Sequence, residues 1–67
     1  MLKEIVAGEM LSIINEIGGQ RVSLDTASDT ITGYVVDAKP PSKIILEMGD
    51  SRKKLDLSQF KYYEILN

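Results

Sequence analysis

The apolar residues change their period once, at Gly18-Gly19, and that change limits what this chain can fold into. Before it, Leu2, Val6, Met10, Ile13 and Ile17 recur at the three-to-four spacing of one helix face, and Ile5 and Ile14 widen the stripe. After it, the spacing is two. The pattern predicts a helix over residues 2–17, stopped by the glycine pair, because glycine takes the left-handed conformation past a helix end at little cost. Glu4 and Glu9 stand in the N-terminal half, where the helix dipole favours acids. Gly8 works against the helix, at a cost of about 1 kcal/mol in a helix interior.

Beyond the glycines, five short strands follow. In residues 20–25, Val22 and Leu24 face one way and Arg21, Ser23 and Asp25 the other, as in a half-buried strand. Residues 26–29 are small and polar, a turn. Residues 30–38 are rich in β-branched and aromatic side chains, with Gly33 in their midst, where a strand glycine marks a bend or close backbone approach. Pro40-Pro41 ends that strand. Residues 43–48 form a third strand, and residues 53–57 a fourth in which Leu55 and Leu57 oppose Lys54 and Asp56. Ser58-Gln59 is short enough to be a tight or 3₁₀ turn, and residues 60–66 are the fifth strand. The expected fold is mainly β: an N-terminal helix (1–19) capping a small, strongly bent five-stranded antiparallel barrel (20–67).

Composition narrows the chemistry. The 67 residues make one domain, and 43% hydrophobic with 27% charged residues is ordinary globular usage. There is no cysteine and no histidine. Disulfides, thiol nucleophiles, the usual zinc sites and histidine acid–base chemistry are therefore absent. A domain this small buries only about 60% of its unfolded surface. Without a disulfide or a metal, self-association is the expected supplement. No apolar run reaches the roughly 20 residues of a membrane-spanning helix. Glu4 and Glu9 interrupt the N-terminal apolar stretch, so it does not read as a signal peptide. Absence of cysteine fits a reducing compartment, and a cytoplasmic location is expected.

Charge is uneven. Residues 1–37 carry two basic and six acidic side chains; residues 38–67 carry six basic and four acidic. The net charge of −2 argues against a broad nucleic-acid footprint, and Arg52-Lys53-Lys54 reads first as a solvated turn.

The run Ile17-Gly18-Gly19-Gln20-Arg21-Val22-Ser23-Leu24, the turn at 26–29, Ile31-Thr32-Gly33-Tyr34-Val35-Val36, Ile44-Ile45-Leu46, and Leu55-Asp56-Leu57-Ser58-Gln59-Phe60 running on to Ile65 together resemble the Sm-like superfamily. Most of the chain, about residues 2–66, can be laid on that pattern. The family's RNA site uses an aromatic–Asp pair after the second strand and an Asn before the third; those positions are Ala38, Lys39 and Lys43 here. Its signature between strands four and five is Ser58-Gln59 here. The resemblance implies a ring in which strand four of one subunit pairs with strand five of the next. That is a cyclic homo-oligomer of about five to seven subunits joined by head-to-tail contacts, with Leu55, Leu57, Phe60, Tyr62, Tyr63 and Ile65 at the interface.

Three functions follow for weighing. A ring that binds single-stranded RNA would use Lys39, Lys43, Ser58 and Gln59, side chains suited to backbone contact, repeated around the ring. A structural or scaffolding oligomer without nucleic acid is the alternative, and net acidity favours it. An SH3-like barrel, a monomer with an aromatic-lined groove for a peptide or polysaccharide, is the rival fold, disfavoured by one Phe, three Tyr and no Trp. The chain does not read as an enzyme: its serines have no histidine to activate them, and no phosphate-loop motif follows the glycines. Asp25 and Asp29 lie in a polar turn without the spacing of a calcium loop. No cofactor and no metal site are expected.

Overall fold

The computed structural model describes residues 1–66; Asn67, the last residue of the expected barrel segment, lies outside the described residues. In chain order the elements are β1 (Lys3–Glu4), a 3₁₀ turn (Ala7–Glu9), α1 (Met10–Ile17), β2 (Arg21–Asp25), β3 (Thr30–Lys39), β4 (Lys43–Met48), β5 (Ser51–Asp56), a second 3₁₀ turn (Leu57–Gln59) and β6 (Tyr62–Leu66). The strands form one antiparallel sheet in the order β1-β6-β2-β3-β4-β5.

Two expectations are corrected. The helix does not run from residue 2: only Met10–Ile17 is α-helical, and Lys3–Glu4 is instead a sixth strand paired with Tyr62–Tyr63. The physical reason is a competition for backbone groups. In a helix, Gly8 would be an interior liability. As a strand, the segment joins the ladder, and the Ile5 N–H donates to the Lys61 carbonyl at 2.8 Å. Nor does the sheet close into a five-stranded barrel: it is open, with β5 at one end and β1 at the other.

The sheet nonetheless curls. Residues 57–61 carry the chain from β5 to β6, which lie four strand spacings apart in the sheet, about 19 Å if flat at about 4.8 Å each. Three of those residues are in a 3₁₀ turn that advances only about 2 Å per residue, and the rest extend at most about 3.6 Å each. The connection falls short of a flat sheet and draws the two sides toward each other.

Two places in β3 shape that curl. A Cβ on Gly33 would stand 2.5 Å from the Glu47 carbonyl oxygen and 2.9 Å from Leu46 Cγ, so β4 lies closer than any side chain permits. Between Val35 and Asp37 the register with β4 shifts by a bulge. Gly33 and Val35 face inward before it, Val36 and Asp37 both face solvent, and Ala38 turns inward again.

The core lies on the inner face. Ile13, Ile14 and Ile17 of α1 join Val22, Leu24, Val35, Ile44 and Leu46 of the sheet, with Leu57, Phe60 and Tyr63, in one buried cluster. Gly19, at φ 75°, releases the chain from the helix. Its N–H donates to the Val35 carbonyl, and the Val35 N–H donates to the Gln20 carbonyl, both at 2.9 Å, which straps the helix end to β3.

Candidate nucleic-acid interface and sheet edges

The turn between β3 and β4, residues 40–42, contains a cis Pro40-Pro41 peptide and sets Lys39 opposite Lys43. One step along, Ile45 stands opposite both Asp37 on β3 and Lys54 on β5. These side chains share the outer face and surround a shallow depression of about 210 Å³ lined by Asp37, Lys39, Lys43, Ile44, Ile45 and Lys54. Three ammonium groups therefore ring a partly apolar floor.

Their charges are unequally engaged. Lys43 Nζ lies 3.1 Å from Asp56 Oδ2, and Lys39 Nζ lies 3.9 Å from Asp37 Oδ2. Lys54 has no carboxylate within ion-pair distance among the described residues. Asp56 is the hub of the rim. It accepts the Ser58 N–H at 3.0 Å and the Ser58 hydroxyl at 2.7 Å. Hydrogen bonds from Ser58, then from Ser42 and Lys43, hold its carboxyl well below the usual carboxylate range. The Leu57 N–H donates to the Ser42 carbonyl at 2.7 Å, which sets the second 3₁₀ turn against the β3–β4 turn.

Of the residues expected to contact nucleic acid, Lys39 and Lys43 thus meet at the depression. Ser58 reaches it only through Asp56. Gln59 is exposed and does not line it. Lys54, Asp37 and Ile45 complete the lining, and sequence reasoning missed them. Alternation alone puts Lys54 on a solvent face; only the β4–β5 register brings it to Ile45. Tyr34, 53% exposed, sits on the outer face opposite Arg21 and Glu47, away from the lysines along β3.

The residues expected at a subunit interface divide. Leu57, Phe60 and Tyr63 are buried in the chain's own core, Leu55 and Ile65 are half-buried, and Tyr62 is exposed. What the sheet offers outward is its edges, and these are unlike. Among the described residues β5 has no strand on its outer side, and it carries Arg52, Lys53 and Lys54; Arg52 bonds Glu47 at 3.0 Å. At the opposite side the acids gather. The N-terminal ammonium lies 2.8 Å from Glu64, and Lys3 Nζ lies 3.2 Å from Glu16. The Tyr63 hydroxyl donates to Glu16 at 2.6 Å. That bond and Lys3 lower the Glu16 carboxyl, while burial and the Glu16 charge push the Tyr63 phenol up to about 12.

Among the described residues, no three acidic, histidine or cysteine side chains gather as a metal site requires, and no helix is long and apolar enough to cross a membrane. No family model matches this chain, and no curated protein and no solved structure matches it either.

Proposed function

We propose that this chain is a cytoplasmic Sm-like module that assembles head to tail into a ring and binds single-stranded RNA through its phosphates. The observation that carries the reading is the convergence of Lys39, Lys43 and Lys54 on one depression. Three cations around a shallow site suit an anionic backbone, and the half-buried Ile45 between them suits a sugar or a base face. One such site is weak; repeated around a ring, it multiplies. The strand order β6-β2-β3-β4-β5, preceded by a helix, supports the family reading. The basic β5 edge and the acidic β6 side support a head-to-tail contact, since opposite charges meet when one copy follows another.

The test is fluorescence anisotropy with U-rich and A-rich oligonucleotides at low and moderate salt. Wild type binds with an affinity that falls as salt rises, by a log–log slope of about −0.7 for each phosphate neutralised on a single strand. Lys39→Glu with Lys43→Glu abolishes binding and leaves the assembled mass unchanged. A ring that shows no binding at low salt overturns the RNA part. A second reading, a scaffolding ring without nucleic acid, is favoured by one observation: Lys39 and Lys43 already face Asp37 and Asp56.

A further inference from the structure

We propose that β1 is an internal stand-in for a neighbour's β5: it occupies the outer edge of β6 and must leave before a second copy of this chain can add its own β5 there. The inference rests on the head-to-tail reading above and adds a contact that controls it.

Three observations carry it. The first is the ladder. β1 pairs only Lys3 with Tyr63 and Glu4 with Tyr62, yet β6 runs five residues, Tyr62–Leu66. A neighbour's β5 offers six residues with an open outer side, so five pairs would replace two. The second is charge. β1 supplies two cations to two acids: the N-terminal ammonium to Glu64, and Lys3 to Glu16, with Lys3 Nζ also 5.9 Å from the Tyr63 ring centroid. β5 carries Lys53, which has no ion-pair partner among the described residues and does not line the lysine depression. The incoming strand would thus return an ammonium group to the acids that β1 vacates. The third is burial. Met1, Leu2, Lys3 and Glu4 are all exposed, and the first side chain packed against the core is Ile5. Residues 1–4 can lift away without opening the core.

The two strands therefore compete for the same edge, and the position of β1 sets the concentration at which copies join. The test locks and unlocks β1 in the full chain. Glu4 and Tyr62 are exposed and directly opposite. With no native cysteine, Glu4→Cys with Tyr62→Cys has no other thiol to pair with inside the chain; oxidation in dilute solution favours the bond that staples β1 to β6, and a non-reducing gel separates it from bonds between chains. Ile5→Pro removes the N–H that bonds Lys61. Should Ile5→Pro fail to fold, Lys3→Glu sets an acid against Glu16 with the backbone intact. Sedimentation is measured across concentration, with and without reductant. The oxidised pair is expected to stay at the 7.4 kDa monomer throughout, and the same pair in reductant to assemble, so that the bond alone separates the two. The unlocked variant is expected to assemble at a concentration about tenfold lower, as its competent fraction rises. If the oxidised pair assembles as readily as the reduced one, the cover is overturned and the head-to-tail reading stands. If wild type, the reduced pair and a folded unlocked variant all remain monomers at millimolar concentration, both fall.

Discussion

Gly33 shows most directly how one residue shapes this molecule. The Glu47 carbonyl oxygen stands only 2.5 Å from where its Cβ would be, so β3 and β4 approach more closely than any side chain allows. Replacing it forces backbone, not a flexible side chain, to move. Gly33→Ala is expected to lower unfolding free energy by about 2–3 kcal/mol, at the upper end of overpacking costs, read from the urea midpoint at unchanged slope. The glycine was legible in sequence as a bend or close approach; the partner it approaches was not, because that depends on the β3–β4 register. Lys54 teaches the same lesson at the candidate site. Lys39 and Lys43 flank one turn and can be paired by inspection. Lys54 joins them only after β5 has been laid antiparallel beside β4.

At the scale of elements, α1 is short and depends on packing. Eight residues are too few for an isolated helix in water, so its stability comes from the three isoleucines it buries. Ile17 is fully buried. Ile17→Ala is expected to cost about 2–5 kcal/mol, against a total of roughly 3–10 kcal/mol for a chain of this length. Thermal denaturation followed by circular dichroism should show a variant close to unfolding at room temperature. The helix face was legible in sequence through Ile13, Ile14 and Ile17. Its start was not. Leu2, Ile5 and Val6 fit the helical period equally well, yet Leu2 and Val6 are exposed and the segment is extended. The same apolar spacing suits either state when backbone pairing with a distant strand decides the outcome.

Across the whole molecule, three titrating groups set the pH range of stability. Asp56 and Glu16 have folded values below their ordinary ones near 4, so the stability they contribute is present above that range and is lost as pH falls. Tyr63 has a folded value raised to about 12 from 10.0, so its contribution is present below pH 10 and is lost as pH rises toward 12. Denaturation midpoints should form a plateau between these limbs. Asp56→Asn should flatten the acid limb, and Tyr63→Phe the alkaline one, each measured by urea unfolding across pH. The two limbs have different architectural sources. Asp56 ties the second 3₁₀ turn to the β3–β4 turn, whereas Glu16 and Tyr63 tie the helix to β6 beneath the N-terminal strand.

Local features were readable from the order of residues alone: the period change at Gly18-Gly19, the alternation along β2 and β4, the turn residues between strands and the inward isoleucines of the helix. These follow from chain geometry over a few residues, where a side chain's face is set by its neighbours in sequence. What distant segments share was set by the fold as a whole. It made residues 3–4 a strand on β6, left the sheet open, placed Lys54 beside Lys39 and Lys43, and buried Leu57, Phe60 and Tyr63 within one chain. The physical reason is common to all four. Backbone hydrogen bonds in a sheet join residues far apart in the chain. Which strands pair is settled by the energy of the whole sheet and core, and no local pattern encodes it.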